Sequence, residues 1–115
     1  MKYRSVKFKI PPLRATVIVS FAKKSKIAVR ELEHFMNIKI SDSGTCAGFA
    51  IAELRKVGVW LGPECKRSQV FHESYHAMIR LMVELKCAGS DEELNAHILE
   101  FITEKILRLW EKRRR

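Results

Sequence analysis

The chain has 115 residues, enough for one domain with one hydrophobic core and too few for two. Apolar residues make up 47% and charged residues 30%, which excludes a membrane bundle and a disordered polyelectrolyte. Lysine and arginine total 22 against 13 acidic residues, for a net charge of +9, so nucleic acid, anionic lipid or an acidic substrate could be attracted. Part of the excess is one terminal cluster, Lys112 to Arg115, where cations suit the end of a helix and need no ligand. Nucleic acid is therefore not the favoured partner. Cys46, Cys65 and Cys87 are an odd, widely spaced set without a C-x-x-C pair, which fits a reducing compartment such as the cytoplasm. The apolar stretch Ala15–Ala22 is too short and too polar for a signal peptide or a membrane span.

Tyr3 to Ile10 alternates Val6, Phe8 and Ile10 with polar residues, the period of a half-buried strand that Pro11-Pro12 ends. Arg14 to Phe21 is rich in β-branched residues and predicts a second, more buried strand. Ser25 is a candidate N-cap for an amphipathic helix over Lys26–Met36. The Ser, Asp and Gly cluster within Asn37–Gly48 predicts a loop. Gly48–Leu54 and Val57–Leu61 read as a β-hairpin, with a helix over Phe49–Lys56 as the rival. Ser68–Cys87 has no Pro or Gly and predicts one helix, in which Met78, Leu81, Met82 and Leu85 are core and Tyr75 is a core aromatic. Gly89 and Ser90 turn the chain into a last helix, packed antiparallel to its predecessor. The order β-β-α-β-β-α-α is an α+β fold: one domain, 1–115, with a small mostly antiparallel sheet against a motif helix and a C-terminal helix.

The motif is His72-Glu73-Ser74-Tyr75-His76. Residues four apart share a helix face, so His72 and His76 can present two imidazoles to one Zn2+. Glu73, one step round, can reach a water on that ion and act as general base. A catalytic zinc takes a third protein ligand, and the start of the last helix offers Glu93, with Glu92 as the alternate. Ser90-x-x-Glu93 is equally a capping box, in which Glu93 only satisfies backbone N–H groups.

His72-Glu73-x-x-His76 followed by Glu93-x-x-Ala96 resembles the gluzincin zinc peptidases, and the layout is similar to very small zincin-like proteins encoded by bacteriophages. The resemblance covers mainly Gly48–Trp110, and its specific part is three or four residues. The spacing to Glu93 is shorter than in the larger members, and His97 stands where such families often carry Asp or Tyr. It implies a zinc metallopeptidase with His72, His76 and Glu93 as ligands and Glu73 as base, placed in the host cytoplasm if phage-encoded. It also implies a peptide or protein substrate extended along an edge strand formed by Val57, Gly58, Val59, Trp60 and Leu61. An oxyanion donor is needed as well, with His97 the first candidate and Tyr75 the second. A groove on so short a chain suggests a narrow substrate presented by a partner protein. The rival reading is a basic binding or adaptor protein, of nucleic acid or protein, on the same scaffold without turnover.

Overall fold

The computed structural model describes residues 5–40, 48–86 and 92–114. Strand β1 (Ser5–Ile10) runs through a short 3-10 turn into β2 (Ala15–Ser20). Helix α1 (Ser25–Met36), the hairpin β3 (Gly48–Glu53) and β4 (Lys56–Leu61), then α2 (Arg67–Glu84) and α3 (Glu92–Arg114) complete the order. This is the α+β fold expected, with the hairpin rather than its helical rival. The Gly89 and Ser90 turn, the capping box and most of the Asn37–Gly48 loop lie outside the described residues. No described helix is long and apolar enough to cross a membrane.

The four strands lie in the order β1-β2-β4-β3. β1 pairs with β2 and β3 with β4 antiparallel, whereas β2 and β4 are parallel, with Val17 beside Val57 and Val19 beside Val59. Period-two alternation sorts the side chains into two layers. Val17, Val19, Val57, Val59, Leu61 and Ala50 face α2 and α3, and with Ile98, Ile102, Ile106 and Trp110 of α3 they form the main core. Ile18, with Phe49 and Ile51 beside it, faces Leu32 and Met36 of α1 in a smaller second core. A side chain at Gly58 would place its Cβ 2.7 Å from the Met36 sulfur, so the bare backbone there is what admits α1 to the sheet. The same layer holds Glu31, which is buried and accepts hydrogen bonds from Ser20 Oγ (2.8 Å) and Ser5 Oγ (2.9 Å).

Three expectations need correction. Val57–Leu61 is not an edge strand. Both of its edges are hydrogen-bonded, and Val57, Gly58, Val59, Trp60 and Leu61 are all buried. Covered on both faces, such a strand reads as an unbroken apolar run, which is what this one is. Trp60 is spoken for: its indole N–H donates to the Ala22 carbonyl at 2.8 Å. Ser25 is the first residue of α1 rather than its cap, for Lys24 is the N-cap and no side chain bonds the helix start. Tyr75 is 51% exposed rather than core.

The candidate metal centre on helix α2

Helix α2 is uninterrupted from Arg67 to Glu84, and a left-handed Lys86 (φ 59°) stops it from continuing. Val70, Ser74, Ala77, Met78, Leu81 and Met82 face inward. Ser74 sits in that stripe at no cost in unsatisfied polarity, since its hydroxyl donates to the Val70 carbonyl at 2.7 Å. The inward stripe fixes the rotation of the helix and leaves His72 exposed and His76 half-buried on its outer flank. Their Nε2 atoms converge to 3.1 Å, with the rings 80° apart. Without an ion, one Nε2–H can donate to the other nitrogen. Two imidazoles on a tetrahedral zinc at about 2.0–2.1 Å would hold their nitrogens roughly 3.3 Å apart, so the pair fits two vertices of such a site.

Glu73, the residue after His72, is 5% exposed. Its stem passes Gly48 at the start of β3, where an added Cβ would stand 3.5 Å from the Glu73 Cγ. Burial pushes the Glu73 carboxyl up from its ordinary range, and nearby His72, His76 and Arg80 pull it down less strongly. A carboxyl held up by burial beside cationic groups is suited to taking and giving a proton. It also raises its neighbour: the buried Cys65 thiol is pushed up by its own burial and then by the Glu73 charge.

Glu93 is not brought to the pair. Arg67 at the start of α2 bonds Glu111 near the end of α3 at 3.0 Å, which sets the two helices antiparallel. Glu93, eighteen residues before Glu111, is therefore level with about residue 85, roughly 13 Å along the axis from His76 at 1.5 Å per residue. It is exposed and faces His97 across one helical turn at 3.5 Å, so both residues are occupied on the outer surface of α3. Glu92 is exposed at the same end. Among the described residues no group of three His, Cys, Asp or Glu side chains is arranged to share an ion. His97, tied to Glu93, is displaced from the pair with it, which removes the basis for its oxyanion role. Tyr75 packs its ring against His76, with centroids 6.4 Å apart.

Two features escaped the sequence reading. Arg80 follows His76 by one turn and, with His76, Ala52 and Glu84, lines a cleft of about 380 Å³ between α2 and β3. The i, i+4, i+8 spacing of His72, His76 and Arg80 was its available signal. The second is that β3, with β1, is an outer strand of the sheet, and β3 is the one packed directly over α2. A larger cavity of about 680 Å³, at the β3–β4 turn and the ends of α1 and α2, contains none of the candidate residues.

No protein-family profile matches the chain, and no curated protein or solved structure matches it significantly. The reading of the site rests on its residues.

Proposed function

We propose that the chain is a zinc-dependent peptidase in which His72 and His76 hold the ion and Glu73 is the general base. One observation carries this reading: two imidazole nitrogens 3.1 Å apart on a helix flank, with a buried carboxyl in the same neighbourhood. The described residues supply two donors to the ion. A bound zinc would polarise a substrate carbonyl and acidify a water, chemistry that neither histidine can supply alone. Glu73 takes the proton of the attacking water and returns it to the leaving amine, and its raised carboxyl suits both transfers. Arg80, in the same cleft, replaces His97 as the candidate for stabilising the carbonyl oxygen as it gains charge.

The substrate is a peptide in extended form along β3. Among the described residues the outer backbone groups of Phe49–Ala52 face no partner strand, and β-addition there runs a peptide past His76 and Arg80. The exposed apolar row along α2 favours a second reading, a binding or adaptor protein on this scaffold. Zinc-loaded protein incubated with a peptide library and read by mass spectrometry separates the two. The peptidase reading expects cleavage that chelation abolishes and that Glu73→Gln lowers by about 10²–10⁴-fold. Absence of cleavage by the loaded protein, or equal cleavage by the Gln variant, leaves the binding role.

A further inference from the structure

Four of the large apolar side chains that remain exposed stand in a single row on α2. Phe71 (45% exposed), Tyr75 (51%), Ile79 (38%) and Val83 (56%) recur every four residues. A row of that spacing runs about 18 Å along the helix, some three turns. Beside Phe71 it opens into a groove against α3 that Leu99, Thr103 and Leu107 line, with Glu100 and Glu104 on its far rim. Monomeric proteins keep few contiguous apolar strips of this size in water, and those they keep are mostly sites of interaction.

The rim identifies the occupant. Glu93 and Glu111 lie seven residues before Glu100 and after Glu104, on the same face of α3, so four of the chain's 13 acidic residues form one row. On a chain of net charge +9, this face has the opposite sign to the whole. Glu104, Glu93 and Glu111 already face Arg108, His97 and Arg67, while Glu100 has no ion-pair partner among the described residues. Exposed pairs of this kind contribute at most about 1 kcal/mol and exchange readily for a better-placed cation.

We propose that the α2–α3 groove docks a basic amphipathic helix of another protein, its apolar face on Phe71, Leu99 and Leu107 and its lysines or arginines against the glutamate row. A helix fits because it satisfies its own backbone; an extended segment would press unpaired N–H and C=O groups onto an apolar floor. Two adjacent helices also offer the ridge-and-groove spacing that a third helix packs into. A second copy would bring the same glutamate row against this one, so that like charges would meet. The groove floor of Phe71, Leu99 and Leu107 includes neither histidine and docking there does not depend on zinc, although Ile79 and Val83 farther along the row also line the cleft beside His76.

The test uses the full chain and two fluorescein-labelled synthetic peptides of about 18 residues in amphipathic helical spacing, one of leucine and lysine, the other of leucine and glutamate. Fluorescence anisotropy is measured at about 0.15 M salt, where long-range attraction is screened. The expected result is binding of the lysine peptide, although peptide and protein are both cationic overall, and little binding of the glutamate peptide. The double substitution Glu100→Lys with Glu104→Lys, exposed positions that leave the fold intact, weakens binding by about tenfold or more, and Phe71→Asp does likewise. His72→Ala with His76→Ala leaves it unchanged. Failure of the lysine peptide to bind, preference for the glutamate peptide, or indifference to the Glu→Lys pair overturns the proposal. Sedimentation showing a dimer that Phe71→Asp dissociates would assign the groove to a second copy instead and overturn it equally.

Discussion

Replacing Gly48 by alanine tests the junction between sheet and site with one methyl group. The added Cβ would stand 2.5 Å from the Trp60 carbonyl oxygen, a backbone atom that no rotamer change can move aside. Carbon-to-oxygen contacts begin near 3.3 Å, so the first residue of β3 has to retreat by about 0.8 Å from β4. The retreat stretches the ladder where Gly48 faces Leu61. Overpacking of this kind costs about 1–3 kcal/mol, which for a chain of this length lowers the melting temperature by roughly 4–12 °C. Differential scanning calorimetry at neutral pH, with chelator present, measures it. Zinc binding at His72 and His76, which lie on α2 and not on β3, is unchanged, while cleavage of a peptide lying along β3 falls. A melting temperature within about 1 °C of the wild type would refute the reasoning, because it would mean that β3 has room beside the Trp60 carbonyl for a methyl group.

Glu73→Gln gives a pH-dependent stability difference of fixed sign in the absence of metal. Burial raises the folded-state carboxyl above its ordinary 4.5, so Glu73 favours folding most where both states are protonated and loses that contribution as pH rises through the folded value. The Gln variant stays neutral throughout; urea midpoints from pH 4 to 7 therefore show its advantage over wild type growing with pH, and a constant or reversed gap contradicts the burial account. Leu54 holds a left-handed conformation (φ 53°) at the tip of the β3–β4 hairpin with its side chain exposed. Leu54→Gly relieves that conformation and raises stability by about 0.5–1 kcal/mol, a shift of a few degrees by circular dichroism; a loss of stability would mean that the leucine side chain packs at the turn.

The element order was legible because each period stands alone: two in β1, a β-branched run in β2, and a long stretch without Pro or Gly in α2. Strand order was not. Val57–Leu61 carries its own correction, since a strand apolar at every position asks for cover on both sides and so for the middle of a sheet. Its hairpin partner Phe49–Ala52 lies at one edge of the sheet, with β1 at the other. At the site, the four-residue spacing of His72 and His76 was enough to predict a shared face, because helix geometry alone decides it. Glu93 was a different kind of inference. Its place depended on how far α3 slides along α2, and that slide is set by Arg67 and Glu111 and by the Ile98, Ile102, Ile106 and Trp110 row, contacts that no local spacing contains. Tyr75 was misjudged for a related reason: aromatic character favours burial, but α2 turns its inward stripe elsewhere. The terminal basic cluster does not simply hang in solvent as its position at a helix end suggests: Arg113 donates to the Phe21 carbonyl at 3.0 Å and stacks over its ring.

Zinc binding by the purified chain is the most direct test of the metal centre. Isothermal titration of the metal-free protein, compared with His72→Ala, His76→Ala and Glu93→Gln, is the measurement. The account expects about one zinc per chain, lost in either histidine variant and retained in Glu93→Gln, a residue about two and a half turns along the axis from His76. Binding that survives both histidine substitutions, or no binding at all, would contradict it.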